Sequence, residues 1–436
     1  MNIVIANSVG RLDNGDLVVE FPSRWSSAVA HKVDGRFDFY PYELGLTAAM
    51  LKRDLPPNWA NVIMVDGCHE CLSAEQYIER LSKLEPVILI TECSALTYPA
   101  MTRVARGLRE RGMLTGGAFL AGPYGMYNPA QAMKDGWSLL QGEYEYQIAD
   151  AFRIAHPIGD YVDLDWLPFA EDDDVSRIEY EEPFGNPYPG MVQMYASRGC
   201  PLACKFCVVP MYYGGHGKSH KSHRVRNVDS VCDELEYLAN KYSGRFNGAY
   251  FHEETHNANP VWLDSLCDRI IDRGLNRYAY DAMCGYWTFT QPLIRKMAMA
   301  NYKNIRIGIE SLSDGVGKRI GKVVFEDKLI KVLEWCKAYG IRTYGTLQVG
   351  AQGATEKGDM ETLDSVLELR HRGLLDIWQH SISTPQPGTP FYDEVKQAGY
   401  LITEDISRFN GVQSVVSWPD YPADRINAVR RAYLSA

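Results

Sequence analysis

The chain has 436 residues, 46% of them hydrophobic, which is enough for two or three domains with substantial cores. Its 45 basic and 55 acidic residues give a formal net charge of −10, which disfavours nucleic acid as a partner. We expect a cytoplasmic protein without a membrane span, because no apolar stretch reaches about 18 residues, no signal peptide is apparent and the ten cysteines are unevenly placed.

The first 150 residues alternate short apolar strands with helical patterns. We predict strands at 3–6, 61–66, 86–91 and 117–123, and helices at 43–51, 74–84 and 99–112. Strands separated by helices of this length form βαβ units, so the sequence predicts an α/β fold with a doubly wound, Rossmann-like parallel sheet in domain 1–150. Ligands of such sheets bind beyond the carboxyl ends of the strands. The candidate residues there are Asp66, His69, Thr91, Ser94, Gly122, Pro123 and Tyr124.

The segment 151–190 breaks this alternation. It carries the acidic runs 171–174 and 179–182, followed closely by prolines. This composition is typical of a solvated connection, and we interpret the segment as an interdomain linker.

From residue 191 the alternation of strands and helices resumes. The strands are predicted at 191–195, 248–251, 278–280, 305–310, 342–349 and 376–381. The helices are predicted at 231–240, 261–273, 292–300, 326–339 and 360–372. This pattern defines a second α/β domain at 191–395, with functional residues expected at the carboxyl ends of its strands. A short tail at 396–436 carries one predicted helix, at 423–434.

Three cysteines follow the first strand of the second domain. Cys200, Cys204 and Cys207 have the spacing Cys-x3-Cys-x2-Cys, one thiolate fewer than full protein ligation of a cubane iron–sulfur cluster requires. One iron would therefore stay open for another ligand. Three ordinary buried thiols are the alternative. The apolar strand before the loop and the Arg198-Gly199 pair favour the cluster.

This cysteine motif resembles that of the radical S-adenosylmethionine (radical SAM) superfamily. The resemblance implies a partial (β/α)6 barrel at 191–395 and a [4Fe-4S] cluster whose open iron binds the amino and carboxylate groups of S-adenosylmethionine. It also implies reductive cleavage of that cofactor to a 5′-deoxyadenosyl radical, with an external reductant of the flavodoxin or ferredoxin type. No cysteine follows Cys336, so we expect one cluster.

The same resemblance assigns S-adenosylmethionine contacts to the cluster loop and the strand ends. Carboxylates attract an ammonium group, so Glu253 and Glu254 suit the amino group of S-adenosylmethionine. The alternative is that they are plain surface charges at a strand end. Gln352 and Ala354 stand where the family usually has proline and glutamate, which leaves the adenine contacts open. The implied contacts are Phe206, Glu253, Glu254, Gly308, Glu310, Gln348 and Gly350.

The first 150 residues resemble the cobalamin-binding domain that precedes many radical SAM domains. The resemblance rests on residues 41–46, the strand ending at Asp66, the Gly122-Pro123 pair and the run 141–145. It implies cobalamin contacts by the strand-end residues named above together with Gly142 and Glu143. The Asp-x-His-x-x-Gly signature that supplies a histidine to cobalt elsewhere is absent, so a cofactor-free docking sheet is the alternative. Cys68, His69 and Cys71 also allow a lesser interpretation as a zinc site.

The stretch 211–226 is the candidate substrate contact. It holds two tyrosines close to the cysteines, three histidines and four lysines or arginines, a composition suited to an anionic substrate and equally to a solvated loop. The residues selected for substrate binding are Tyr212, Tyr213 and Arg224.

Together the two resemblances imply a cobalamin-dependent radical SAM methyltransferase acting on an unactivated carbon of a small molecule or natural-product intermediate. The cofactors would carry the chemistry, and no side chain is singled out as catalytic. Two alternatives stay open. One is a radical cyclisation, rearrangement or oxidation without methyl transfer, and the other is a non-catalytic iron–sulfur protein.

Overall fold

A computed structural model describes residues 1–20, 39–180, 188–215 and 222–436. It confirms the α/β class. The described residues form a five-stranded parallel sheet in the first part of the chain, a six-stranded parallel sheet in the second, and a short antiparallel strand pair. None of the helices in these ranges combines the length and apolar composition needed to cross a bilayer.

The first sheet has the doubly wound order β2-β1-β3-β4-β5. Its strands are β1 (Asn2–Ala6), β2 (Asn61–Val65), β3 (Ile88–Glu92), β4 (Gly117–Ala121) and β5 (Ser138–Leu139). Its helices are α1 (Tyr42–Asp54), α2 (Ala74–Ser82), α3 (Tyr98–Glu110), α4 (Pro123–Tyr127), α5 (Pro129–Lys134) and α6 (Glu145–Ala151). Apolar residues of α2 and α3 pack on one face of the sheet, and those of α1 and α6 on the other. This two-sided burial explains the nearly continuous apolar strands.

The second sheet contains all six predicted strands, in the order β13-β12-β11-β10-β9-β6. They are β6 (Met191–Met194), β9 (Gly248–Phe251), β10 (Ala279–Cys284), β11 (Tyr302–Glu310), β12 (Arg342–Val349) and β13 (Ile377–Ile382). The short pair is β7 (Ser197–Arg198) with β8 (Arg224–Val225). The helices are α7 (Val209–Tyr212), α8 (Val228–Lys241), α9 (Pro260–Asp272), α10 (Gln291–Met299), α11 (Asp314–Ile320), α12 (Glu326–Ala338) and α13 (Glu356–His371). Because the strands are parallel and follow one another, their carboxyl ends form a single rim.

The C-terminal tail packs on the second sheet. It contains α14 (Pro390–Gln397) and α15 (Ala423–Ser435). Ile426, Val429 and Tyr433 of α15 are buried in the same core as β12 and β13. A Cβ atom on Gly350 would lie 2.7 Å from Ile426, so α15 fits closely against the chain that follows β12.

The acidic run in 171–174 is only partly solvated, which corrects the prediction for this segment. Glu171 and Asp172 are buried. Arg177, with no exposed surface, lies 3.0 Å from Glu171 and 2.8 Å from Glu234 of α8, and Lys52 of α1 lies 2.8 Å from Asp172. Buried charges of this kind require partners. Composition alone did not reveal these pairs, because it does not show which charges the fold brings together.

Candidate active site

The cluster loop, residues 199–207, joins β7 to α7 and is fixed at several points. Gly199 has φ +86°, and a Cβ there would lie 2.6 Å from Ser222 O, so only glycine fits. The Lys205 N–H donates to Ile320 O at 2.9 Å, and the Phe391 N–H donates to Lys205 O at 3.1 Å. The loop therefore rests on the end of α11 and the start of α14.

The three thiols of this loop lie near one another in a largely buried place. Burial raises the pKa of Cys204 to about 12, the Lys322 ammonium opposes the shift, and the neighbouring Cys200 adds to it. Burial likewise raises the pKa of Cys200 and of Cys207. Thiols of this kind lose their protons when metal binds.

Among the described residues, no three His, Cys, Asp or Glu side chains are arranged to hold one metal ion. At the first sheet, the Cys68 thiol donates to Val18 O at 3.0 Å and the Cys71 thiol lies 3.7 Å from His69 O.

The two acids after β9 are both buried, so their interpretation as surface charges is wrong. Glu254 Oε2 accepts the Gly199 N–H at 3.1 Å, and the Tyr213 hydroxyl donates to Glu254 Oε1 at 3.3 Å. Glu253 Oε1 lies 2.6 Å from His256 Nδ1, and His256 Nε2 lies 2.7 Å from the Tyr302 hydroxyl. Within the described chain, Glu253 Oε2 has no hydrogen-bond partner.

The end of β11 carries a lysine contact that the sequence did not reveal. Glu310 follows an irregularity in the pairing with β12 and has φ +62°, in the left-handed region. Lys322 Nζ lies 2.8 Å from Glu310 Oε1. A Cβ on Gly308 would overlap Lys322 Nζ and lie 2.7 Å from Glu310 Oε1, so a side chain there would displace the ends of both charged side chains. Burial alone would lower the pKa of Lys322, but Glu310 outweighs it and the pKa is raised.

The other predicted S-adenosylmethionine contacts lie around the end of β12 and the cluster loop. Gln348 Oε1 accepts the Ser383 hydroxyl at 2.8 Å. Gly350 donates its N–H to Asp359 Oδ2 at 2.8 Å, and its carbonyl accepts the Trp418 indole N–H at 3.1 Å. Phe206 is half-buried and packs on the apolar cluster that contains Phe391.

At the carboxyl edge of the first sheet, the chain itself engages several residues predicted to bind cobalamin. Asp66 accepts the Asn7 amide and the His69 N–H, both at 2.9 Å, and the Tyr180 hydroxyl at 2.7 Å. The Ser94 N–H and hydroxyl donate to Glu20 Oε1 at 3.1 and 3.0 Å. These groups are satisfied within the protein.

Thr91 and Glu143, two further residues predicted to bind cobalamin, are likewise engaged by the chain. Thr91 is fully buried and donates to Ala6 O at 2.7 Å between two strands. Glu143 accepts hydrogen bonds from Arg198 and Arg224.

The remaining edge residues lie close to the cluster loop. Gly122, with φ +103°, precedes α4, where Pro123 and Tyr124 lie. Met126 of α4 packs in one apolar cluster with Val209, Tyr212, Tyr213, Cys200 and Cys207. Gly142 has φ +59°, and a Cβ there would lie 2.8 Å from Tyr212 O. His69 is exposed, with its ring 4.6 Å from that of Tyr180. The carboxyl edge of the first sheet thus faces the cysteine loop.

The candidate substrate residues differ in their burial and in their contacts within the chain. Tyr212 and Tyr213 are buried beside the cysteines. Arg224 donates to Glu143 at 2.7 Å and to Val162 O at 2.6 Å, and its guanidinium lies 4.7 Å from the centre of the Tyr161 ring. Residues 216–221 of the basic stretch lie outside the described residues.

Comparison with known proteins identifies the second domain. Residues 194–366 match the model of the Radical SAM superfamily. The central part of the chain therefore matches a radical SAM domain, and the prediction of such a domain after residue 190 is confirmed.

Two relatives in sequence are named as methyltransferases. An uncharacterised methyltransferase of Pyrococcus horikoshii is 23% identical over 425 residues, 91% of this chain and 87% of that protein. The bacteriochlorophyllide d C-12(1)-methyltransferase of Chlorobaculum tepidum is 25% identical over 217 residues, 49% of this chain and 44% of that protein. The chain thus matches less than half of the latter.

Two solved structures share the fold across nearly the whole chain. TsrM of Kitasatospora setae, a radical S-adenosylmethionine methyltransferase with cobalamin and a [4Fe-4S] cluster bound, has a TM-score of 0.63 at 14% identity, covering 92% of this chain and 78% of TsrM. The cobalamin-dependent S-adenosylmethionine radical enzyme OxsB has a TM-score of 0.64 at 14% identity, covering 100% of this chain and 66% of OxsB. The predicted combination of a cobalamin-binding type of sheet with a radical SAM domain is confirmed as a fold.

Proposed function

We propose that the chain is a cobalamin-dependent radical SAM methyltransferase that methylates an unactivated carbon of a small molecule. The observation that carries this proposal is the meeting of the two strand-end edges, where Met126 of α4 packs against the same buried cluster as Cys200 and Cys207. A cofactor held at the first sheet would face a cluster held by the loop. The fold shared with TsrM and OxsB, both named as cobalamin enzymes, supports the same arrangement.

The residues proposed to hold the cluster are Cys200, Cys204 and Cys207, each on one iron. When bound, the cluster supplies the electron that cleaves S-adenosylmethionine. Glu253 Oε2, buried and without a described partner, suits the ammonium of that cofactor. Lys322 and Glu310 place a cation and an anion beside the loop, within reach of the cofactor's charged end.

The cobalamin site is proposed at the carboxyl edge of the first sheet. Of the expected contacts, His69, Gly122, Pro123 and Tyr124 lie at that edge, whereas the side chains of Thr91 and Glu143 bond to the chain itself. Bound cobalamin would supply the methyl group. Half-buried apolar residues of α4, among them Met126 and Tyr127, fit the broad face of such a group and exclude water from it.

A small-molecule substrate is part of the proposal. The structure of TsrM with tryptophan and an S-adenosylmethionine analogue gives one example of a relative in this fold with such a substrate. The net charge of −10 is unfavourable for nucleic acid, whose binding depends on neutralising phosphates. An external one-electron donor would be needed to reduce the cluster.

Product analysis tests the proposal. Protein reconstituted anaerobically with iron, sulfide and hydroxocobalamin is supplied with S-adenosylmethionine, a reductant and candidate substrates. Methyl transfer through both cofactors should give one S-adenosylhomocysteine and one 5′-deoxyadenosine per methylated product. Deoxyadenosine without S-adenosylhomocysteine would contradict methyl transfer and favour a cyclisation, rearrangement or oxidation. Absence of both products and of the cluster's visible absorbance would overturn the radical mechanism.

A further inference from the structure

The loop between β5 and α6 holds an acid that contacts the second domain. Glu143 Oε1 lies 3.1 Å from Arg198 Nη1 and 2.7 Å from Arg224 Nη2. The adjacent Glu145 pairs with Arg198 Nη2. The side chains of Glu143 and Arg198 are only 5% and 2% exposed, so their contact is shielded from water and salt.

The two arginines face each other across the short strand pair. Arg198 of β7 is directly opposite Arg224 of β8 in the antiparallel register. Like charges in opposite positions destabilise a strand pair unless an anion lies between them. Glu143, which comes from the first domain, is that anion. The β7–β8 pair therefore depends on a residue about 55 positions away in the sequence.

The same loop also contacts the chain after the cysteines. Arg198 lies two residues before Cys200, and Tyr212 lies five residues after Cys207. Gly142 approaches Tyr212 O so closely that a Cβ would lie 2.8 Å from it. Residues 142–145 thus touch both ends of the segment that carries the three thiols.

We propose that Glu143 is a positioning residue that fixes the cluster loop to the first sheet, and that Arg224 is its partner in this role. The assignment of the cluster rests on the proposed function above, but the role of Glu143 in fixing the loop to the first sheet does not. Removing the carboxylate leaves Arg224 without its anion and Arg198 with Glu145 alone, which loosens both ends of the cluster loop.

Hydrogen exchange on the metal-free full-length chain tests this role without any cofactor. In Glu143→Gln, amides of residues 197–213 should exchange about tenfold faster than in the wild type, which corresponds to the loss of a charge-assisted contact. Glu110→Gln, at an exposed acid of α3, is the matched control and should leave these amides unchanged. Unchanged exchange in Glu143→Gln would overturn the proposal.

A double-mutant cycle separates this role from substrate binding. Arg224→Gln should speed amide exchange in the same segment. The effect of the double variant on exchange should be far smaller than the sum of the two single effects, because both single variants break the same contact. An Arg224→Gln variant with normal exchange and a raised KM for an anionic substrate would instead assign Arg224 to the substrate and overturn its role here. If the wild type binds no cluster while the variants still show these exchange effects, the proposed function is refuted and the positioning role of Glu143 is not.

Discussion

Glu254 Oε2 accepts a hydrogen bond from the Gly199 N–H at 3.1 Å, so an acid at the end of β9 holds the chain one residue before the first thiol. Glu254→Ala should destabilise this turn by about 1–3 kcal/mol, since a buried N–H loses its acceptor. Iron and sulfide content after anaerobic reconstitution should fall well below that of the wild type. Glu254→Gln, which keeps a carbonyl acceptor, is the control and should retain more cluster. Equal loading of Glu254→Ala and the wild type would contradict this role.

Replacement of Cys200, Cys204 and Cys207 by Ala should abolish the broad visible absorbance and all reductive cleavage of S-adenosylmethionine. These residues supply every protein thiolate of the proposed cluster. Cys232→Ala, at a buried position of α8, is the control and should keep both properties with a modest loss of stability. Formation of 5′-deoxyadenosine by the triple variant with dithionite would refute the assignment of the cluster.

The order of the strands and the cysteine loop could be predicted from the sequence because each has a local signal. Short apolar runs that alternate with helical patterns mark the strands, and the spacing Cys-x3-Cys-x2-Cys marks the loop. Boundaries were less accurate where side chains cap helices. α13 begins at Glu356, four residues before the predicted start, because the Thr355 hydroxyl accepts the Gly358 N–H. β10 extends to Cys284, beyond the predicted end of this strand at residue 280.

The contacts between domains could not be predicted in this way. Glu143 pairs with Arg224 and Arg177 with Glu234, partners that are distant in the sequence, and no motif in one segment records the charge of another. The same reason explains the error for the linker acids. Thr91 and Ser94 were selected because they follow a strand, but a hydroxyl there can equally satisfy a neighbouring backbone or carboxylate group.

Lys322→Met should leave Glu310 with a nearly buried carboxylate that lacks its cation. Breaking such a pair costs about 3 kcal/mol, whereas removing both charges costs much less. The free energy of unfolding of metal-free protein should therefore fall in Lys322→Met and recover in Lys322→Met combined with Glu310→Gln. Denaturant melts of Lys322→Met, Glu310→Gln and the double variant measure this difference. Additive losses in the double variant would contradict the pairing seen in the structure.

Asp359 gives the protein a stability that depends on pH. It is buried in α13, where its carboxylate accepts the Gly350 N–H and the Tyr421 hydroxyl, the latter at 3.1 Å. Burial raises its pKa to about 6, and the two hydrogen bonds oppose the shift. The folded state therefore binds the proton more tightly than the unfolded chain, in which the pKa is about 4.

The contribution of Asp359 to stability is accordingly full below pH about 4 and is lost as the pH rises to about 6. Asp359→Asn keeps an acceptor for both donors without the charge. At pH 7 it should exceed the wild type in unfolding free energy by roughly 2 kcal/mol, and the difference should vanish near pH 4. Denaturant melts of metal-free protein between pH 4 and 7 measure this. Asp364→Asn, on the same helix, is the control and should follow the pH dependence of the wild type. A constant difference between Asp359→Asn and the wild type across this range would show that the carboxylate is not protonated there.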